Sequence, residues 1–392
     1  MVSMTFSPSD KADCSRAPSK QPGTPSVLLC VCLAVVLFFH ASPAMSDDVS
    51  AISPQKRAAL GIAALQSWYN EQTGLYNTTG WWNSANAITT LADYSRISGS
   101  HDYEAVFDHT FTQAQKTAPG FLNKFYDDEG WWALAWIDVY DLTHQPQYLQ
   151  MAQSIFTDMA GGWSGDCSGG IWWSKDRKYK NAIANELFLS VAAHLAARAT
   201  TGSDRKKYLS WARREWRWFA QSGMINAGHL VNDGLDAKCQ NNHATTWSYN
   251  QGVILGGLAE LYRVRHDRKL LDMARSIAGA AISAPALVDA RGILHESCEP
   301  KCGGDGPQFK GIIARNLEAL DEVFPAPAYS GFIATNAGSV WSGAQPPDYR
   351  LGLIWSTPYG ASDANASTQS SALDVLVAAF ASSSRNKVAT HR

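Results

Sequence analysis

The feature that most limits the fold is an alternation between two kinds of helical segment. From Pro54 onward apolar residues recur at i, i+3 and i+4, and period-two alternation is scarce. Six segments are rich in Ala, Gly and Leu and almost apolar around the whole circumference, as helices buried on two sides must be. They begin near Trp81, Asp128, Asn181, Trp247, Gln308 and Thr368. Six one-sided segments alternate with them: Gln55 to Tyr69, Tyr103 to Lys116, Gln147 to Met159, Asp204 to Gln221, Arg268 to Ala281 and Ala328 to Val340. This pattern predicts an all-α protein, an (α/α)6 barrel with six inner helices ringed by six outer ones. In the fourth outer segment Arg205, Lys206, Lys207, Arg213, Arg214 and Arg217 read as a solvated outer face.

Loop lengths pick the working end. Connections after inner helices are short, as at Gly99 to His101, His144 to Pro146 and Thr201 to Ser203. Those before inner helices are long: Gly161 to Lys180, Ser222 to Thr246, Ser283 to Pro307 and Ser342 to Ser367. Long loops on one end of a rigid scaffold are where sites are built, so the site is expected at the N-terminal ends of the inner helices.

Residues 1–44 read as a secretory signal. Lys11, Arg16 and Lys20 precede an apolar run from Val27 to Phe39, followed by Ala41-Ser42-Pro43-Ala44. The expected organisation is this signal, a catalytic domain over 45–383 and a polar tail over 384–392. Location follows as secreted, periplasmic or cell-wall associated, without a stable membrane partner. The charge balance, 33 Lys+Arg against 35 Asp+Glu, lacks the basic excess of a nucleic-acid binder. A monomer is expected.

Cys14, Cys30 and Cys32 lie in or before the signal, leaving Cys167, Cys239, Cys298 and Cys302. An even number in an oxidising compartment suggests two disulfides out of three possible connectivities. His295, Cys298, Cys302, Cys239 and His243 would be the material for a zinc site, but no paired CxxC pattern is present, so neither metal nor cofactor is expected. All four cysteines fall in loops on the proposed working face. Cys298 and Cys302 are close enough to bridge within one loop, which would leave Cys167 and Cys239 to join two loops.

The working end is rich in tryptophan, of which the chain has 15. It carries Trp81-Trp82-Asn83, Tyr126-Asp127-Asp128-Glu129, Trp131-Trp132, Trp172-Trp173, Lys180-Asn181, Trp247-Ser248-Tyr249-Asn250-Gln251 and Gln308-Phe309-Lys310. Sugars present apolar C–H faces and a ring of hydroxyls, which flat aromatics and planar amides recognise. The substrate-binding candidates are Trp82, Asn83, Tyr126, Trp132, Trp173, Asn181, Tyr249, Asn250, Gln251 and Lys310. The alternatives are that the tryptophans pack between helices and that Asn250 and Gln251 cap theirs.

Asp127 and Asp128 are the catalytic candidates. Glycoside hydrolysis uses two carboxyl groups, one to protonate the leaving oxygen and one as nucleophile or base. Consecutive Cα atoms lie about 3.8 Å apart, so neighbouring carboxyls readily reach the roughly 5–5.5 Å separation of a retaining enzyme. Crowding two like charges also favours one acid staying protonated. The helix-cap alternative is that acidic residues simply suit a helix start.

The segment YDDEGWWALAWIDVYDLT resembles the catalytic motif of glycoside hydrolase family 76, the endo-α-1,6-mannanases with their fungal cell-wall relatives. GWWNSANAITTLADY, CSGGIWWS, YKNAIANELFLSVAAHL, WSYNQGVILGGLAELY and ESCEPKCGGDGPQFKGIIARNL extend the resemblance, in order, from Trp81 to Leu317. The resemblance implies an (α/α)6 barrel and retaining cleavage of α-1,6-mannan, with Asp127 as nucleophile and Asp128 as acid/base. One departure is Ile313, where the family pattern FKGIF[AT]R has an aromatic residue. Another is the polar end at Arg392, where the fungal relatives carry an anchor signal. Transglycosylation through the same covalent intermediate and non-catalytic mannan binding are the other readings; the intact pair weighs against the last.

Overall fold

The computed structural model describes residues 52–344, 346–356 and 364–390. The signal reading over residues 1–44 and its three cysteines lie outside the described residues. Helices α1 (Pro54–Gln66), α2 (Trp81–Ser98), α3 (Glu104–Gln113), α4 (Tyr126–Thr143), α5 (Pro146–Gly161) and α6 (Ala182–Arg198) form the first half. Helices α7 (Gly202–Phe219), α8 (Ser248–Arg265), α9 (Arg268–Ala281), α10 (Phe309–Val323), α11 (Pro327–Ser342) and α12 (Ala366–Thr390) form the second. The even-numbered helices make a closed inner ring: α2 packs on α4, α4 on α6, α6 on α8, α8 on α10, α10 on α12 and α12 on α2. Outer helices α1, α5, α7, α9 and α11 lie against this ring, so the architecture is the (α/α)6 barrel that the pattern predicts.

Burial follows the pattern. Helix α6 buries every residue from Ala182 to Ala193, whereas α7 buries only Tyr208, Ala212, Glu215, Trp218 and Phe219, one stripe at i, i+4, i+7 spacing. Small residues let inner helices approach closely. A Cβ on Gly252 of α8 would lie 2.6 Å from Ile313 Cα, and one on Gly311 of α10 would lie 2.3 Å from the Ser371 carbonyl oxygen of α12. Ile313 is itself fully buried in the α8–α10 seam, so the departure at this position concerns helix packing.

Inner helices α2, α4 and α8 end on left-handed residues, Gly99, His144 and His266, which reverse the chain at once into the next outer helix. The long segments all enter inner helices, and their ends meet on one face. Helix α12 runs on to Thr390, so residues 384–390 continue the helix beyond the expected start of a tail. Arg385 there pairs with Glu318 and, at 3.0 Å, with Asp321 of α10. At the barrel end opposite the long loops is a cavity of about 430 Å³ lined by ion pairs, among them Arg96–Asp93, Arg198–Asp141 and Arg315–Asp374.

Candidate active site

Asp127 and Asp128 open α4, and the chain entering them is stitched to the loop before α6. The Tyr126 amide donates to the Trp173 carbonyl at 2.9 Å, and the Lys175 amide to the Lys124 carbonyl at 3.0 Å. This pairing sets the Trp173 indole beside the acids, and its Nε1–H donates to Asp127 Oδ2 at 3.0 Å. Among the described residues no donor meets Asp127 Oδ1 at hydrogen-bonding geometry, although the Asp127 and Asp128 backbone amides act on this carboxyl. Asp128 is held from another direction: its Oδ2 accepts from Asn123 Nδ2 at 2.6 Å. Asn123 is fixed in turn, its Oδ1 accepting from the Phe125 amide at 2.7 Å and its amide donating to Glu129 at 3.2 Å. Buried Glu129 pairs with Lys175 at 2.8 Å, which also reaches Asp158 at 2.9 Å.

Burial, then the neighbouring Asp128 charge, raises Asp127 well above the ordinary carboxyl range, and the Trp173 hydrogen bond opposes this. Burial likewise lifts Asp128 to about 6, with the Asn123 hydrogen bond opposing and the Asp305 charge adding. The adjacent carboxyls titrate as a pair that keeps a proton where isolated aspartates have lost theirs. One proton on the pair leaves one acid and one carboxylate, the two groups that glycoside cleavage needs, and the stronger lift falls on the more buried Asp127.

An aromatic wall faces the pair. Trp82 stacks on Trp131 and Phe309 with centroids 5.6 and 6.2 Å apart, and Phe309 stacks on Tyr249 at 4.0 Å. Trp82 Nε1 donates to Asp305 Oδ1 at 2.8 Å. Burial raises the Tyr249 hydroxyl well above its usual range, and the charges of Asp233, Asp127, Glu186 and Asp305 all act on it in the same sense. Tyr249 therefore sits where acidic groups from four different segments converge. Trp173, 36% exposed, leaves a large aromatic face open to solvent.

Of the expected sugar-binding residues, Trp82, Trp173 and Tyr249 are gathered around the aspartates. Others are placed differently, because neighbours on a helix point roughly 100° apart and half of them face the packed seams. Trp132 is fully buried and stacked on Trp136, so its face belongs to the core. Tyr126 is covered, with Lys175 over its ring. Asn83 is buried and accepts from the Gly80 amide, and Asn181 caps α6 by accepting from the Ala184 amide. Gln251 exchanges two hydrogen bonds with the Val231 backbone and donates a third to the Trp247 carbonyl, which uses its amide fully. Lys310, also fully buried, bonds Glu299 and the Leu353 carbonyl. Asn250 is buried, and among the described residues neither of its amide atoms has a hydrogen-bond partner.

Asn123, Asp233, Glu186 and Asp305 were not read as site residues. Asp233 accepts from the Tyr179 hydroxyl at 2.5 Å, and that hydroxyl accepts from Asn242 at 2.9 Å. Asp305 stands immediately before a buried glycine, Gly306, whose Cβ position would lie 2.6 Å from Cys302 Cβ. An acidic residue in a Gly-rich loop entering an inner helix was the available signal. Both expected disulfides are present, Cys167–Cys239 and Cys298–Cys302, so all four thiols are occupied.

Residues 54–391 match the model of glycosyl hydrolase family 76. The chain is 27% identical over 331 residues to mannan endo-1,6-α-mannosidase DFG5 of Candida albicans, covering 75% of this chain and 71% of that one. It is 26% identical over 288 residues to mannan endo-1,6-α-mannosidase DCW1 of Saccharomyces cerevisiae, covering 66% of this chain and 61% of that one. Its fold matches an inactive variant of an α-1,6-mannanase of a Salegentibacter species in complex with α-1,6-mannotriose, at TM-score 0.76, 21% identity and coverage of 84% and 99%. It also matches Dfg5 of Chaetomium thermophilum in complex with glucosamine, at TM-score 0.73, 21% identity and coverage of 84% and 90%.

Proposed function

The chain belongs to glycosyl hydrolase family 76, and on that premise we propose that it is a retaining endo-α-1,6-mannosidase, exported to act on mannan at or outside the cell surface. The observation that carries this reading is the aspartate pair, held by two separate donors, one of them the exposed indole of Trp173. Trp82, Trp173 and Tyr249 supply stacking surface and a hydroxyl for mannose.

In this mechanism Asp127 attacks the anomeric carbon through Oδ1, the oxygen that Trp173 does not hold. Trp173 steadies the other oxygen. As the glycosidic C–O bond breaks, Asp128 gives its proton to the departing oxygen. Asp128 then removes a proton from water, whose oxygen attacks the glycosyl–Asp127 ester and releases the carboxylate. Asn123 keeps Asp128 aimed through both steps, and Glu129 with Lys175 keeps Asn123 in place.

Incubation with unbranched α-1,6-mannan followed by product sizing tests the reading. Accumulation of shorter manno-oligosaccharides is expected. Products longer than the starting chains would assign transfer to a sugar acceptor, and an unchanged substrate that stays bound would leave a mannan-binding protein.

A further inference from the structure

Helix α7 presents cations that the rest of the fold does not neutralise. Arg205, Lys206, Lys207, Arg213, Arg214 and Arg217 are exposed, and among the described residues none of their side chains takes part in an ion pair or a hydrogen bond. The contrast lies within the same protein: Arg96, Arg198, Arg263, Arg315 and Arg385 are all matched to carboxylates. Position explains part of the cluster, since Arg217 in the last turn suits the negative end of the helix dipole. It does not explain Arg214, a turn earlier, which lies over the Trp163 ring at 4.2 Å and the Trp211 ring at 5.1 Å.

Arg214 and Arg217 line a groove of about 750 Å³ together with Trp163, Trp218, Gln221 and Ser222. Its walls are built rather than loose. The Cys167–Cys239 disulfide forms one side. Trp218 donates from Nε1 to the Cys167 carbonyl at 2.8 Å, and its ring fills the space where a Cβ on Gly170 would fall, 2.3 Å away. Behind the wall Lys180 ties together the carbonyls of Asp166, Gly169 and Gly170. Glu215, next to Arg214 in the chain, is fully buried and has no hydrogen-bond partner among the described residues; burial pushes its carboxyl well above the usual range, and the Lys180 and Arg214 charges oppose this. Among the described residues no carboxylate lines the groove, while Asp166 lies between its lining residues Gly165 and Cys167 in the chain.

Outer helices run opposite to inner ones, so the C-terminal end of α7 stands on the same face as the aspartate pair. We propose that this groove is an accessory binding site for a sugar bearing an anionic group, a phosphate or a carboxylate, with the anion on Arg214 and Arg217 and the sugar hydroxyls on Gln221 and the neighbouring loop. The Arg214 guanidinium, pre-set by stacking on two indoles, suits a tetrahedral or planar oxyanion, and the adjacent Gln221 amide suits a polyol. The site is separate from the catalytic pair, and its test does not depend on turnover.

The test is calorimetric or NMR titration of the full chain with mannose 6-phosphate, glucuronate, inorganic phosphate and mannose. Saturable binding of mannose 6-phosphate or glucuronate is expected, weakened by added salt and by at least about tenfold in R214A/R217A. R214K/R217K, which keeps the charge but not the fork, is expected to fall between the two. Circular dichroism and the melting temperature confirm that both variants fold, and turnover of unsubstituted mannan stays unchanged. Equal affinity in R214A/R217A, or no saturable binding of either anionic sugar, would overturn the proposal. Inorganic phosphate binding as tightly as mannose 6-phosphate would overturn its sugar component. Loss of binding to anionic lipid vesicles in R214A/R217A, without any binding of the soluble anionic sugars, would overturn it in favour of a membrane surface.

Discussion

Asp127→Ala should lose essentially all activity, by about 10⁴-fold or more, on every glycoside offered, because no covalent intermediate can form without the nucleophile. Asp128→Ala should fail differently. A substrate whose leaving group needs no protonation can still glycosylate Asp127, so the first step survives and the second stalls for want of a base. Azide, which needs no deprotonation, should then restore turnover and give a glycosyl azide with the anomeric configuration of the substrate. Rescue confined to the Asp127 variant would exchange the two roles. Full activity in both variants would reduce the pair to a helix cap. The structure gives the difference a basis, since Trp173 holds one acid and Asn123 the other.

The two disulfides should separate stability from activity. Cys167–Cys239 spans 72 residues and Cys298–Cys302 spans 4. In the chain-entropy account the long closure contributes about 4 kcal/mol and the short one about 2. Serine pairs at 167 and 239 should therefore lower the denaturation midpoint more than serine pairs at 298 and 302. Activity should rank the other way. Gly306 packs directly on the short disulfide, and the residue before it, Asp305, holds Trp82 at the aromatic wall and adds its charge to Asp128. Denaturant titrations and turnover on mannan measure both quantities. The same rank order in both would remove the assigned role of the short bridge.

Much of the scaffold was legible because inner and outer helices obey different burial rules. Helix α6 had to be apolar on all sides, and α7 could not be, so periodicity alone separated the two rings. The active end was legible from loop lengths, and the disulfide partners from the placement of their loops. Side-chain direction was less accessible. Trp131 and Trp132 are adjacent in sequence, yet one stacks on Trp82 and the other on Trp136 in the core. Asn181, Gln251 and Lys310 have the chemistry of sugar ligands, but in the fold they satisfy backbone and carboxylate groups that burial would otherwise leave unpaired. Asn123 and Asp305 act through loops whose course depends on contacts distant in sequence, such as Phe125 with Ser174 and Trp82 with Asp305. Helical periodicity carries no record of these.

The central claim is cleavage through a glycosyl–Asp127 intermediate, and the configuration of the first-formed product tests it most directly. Proton NMR of α-1,6-mannan digestion, recorded faster than mutarotation, should show the new reducing ends appearing in the α configuration and equilibrating only later. Initial appearance of β reducing ends would mean single displacement by water and would contradict the account.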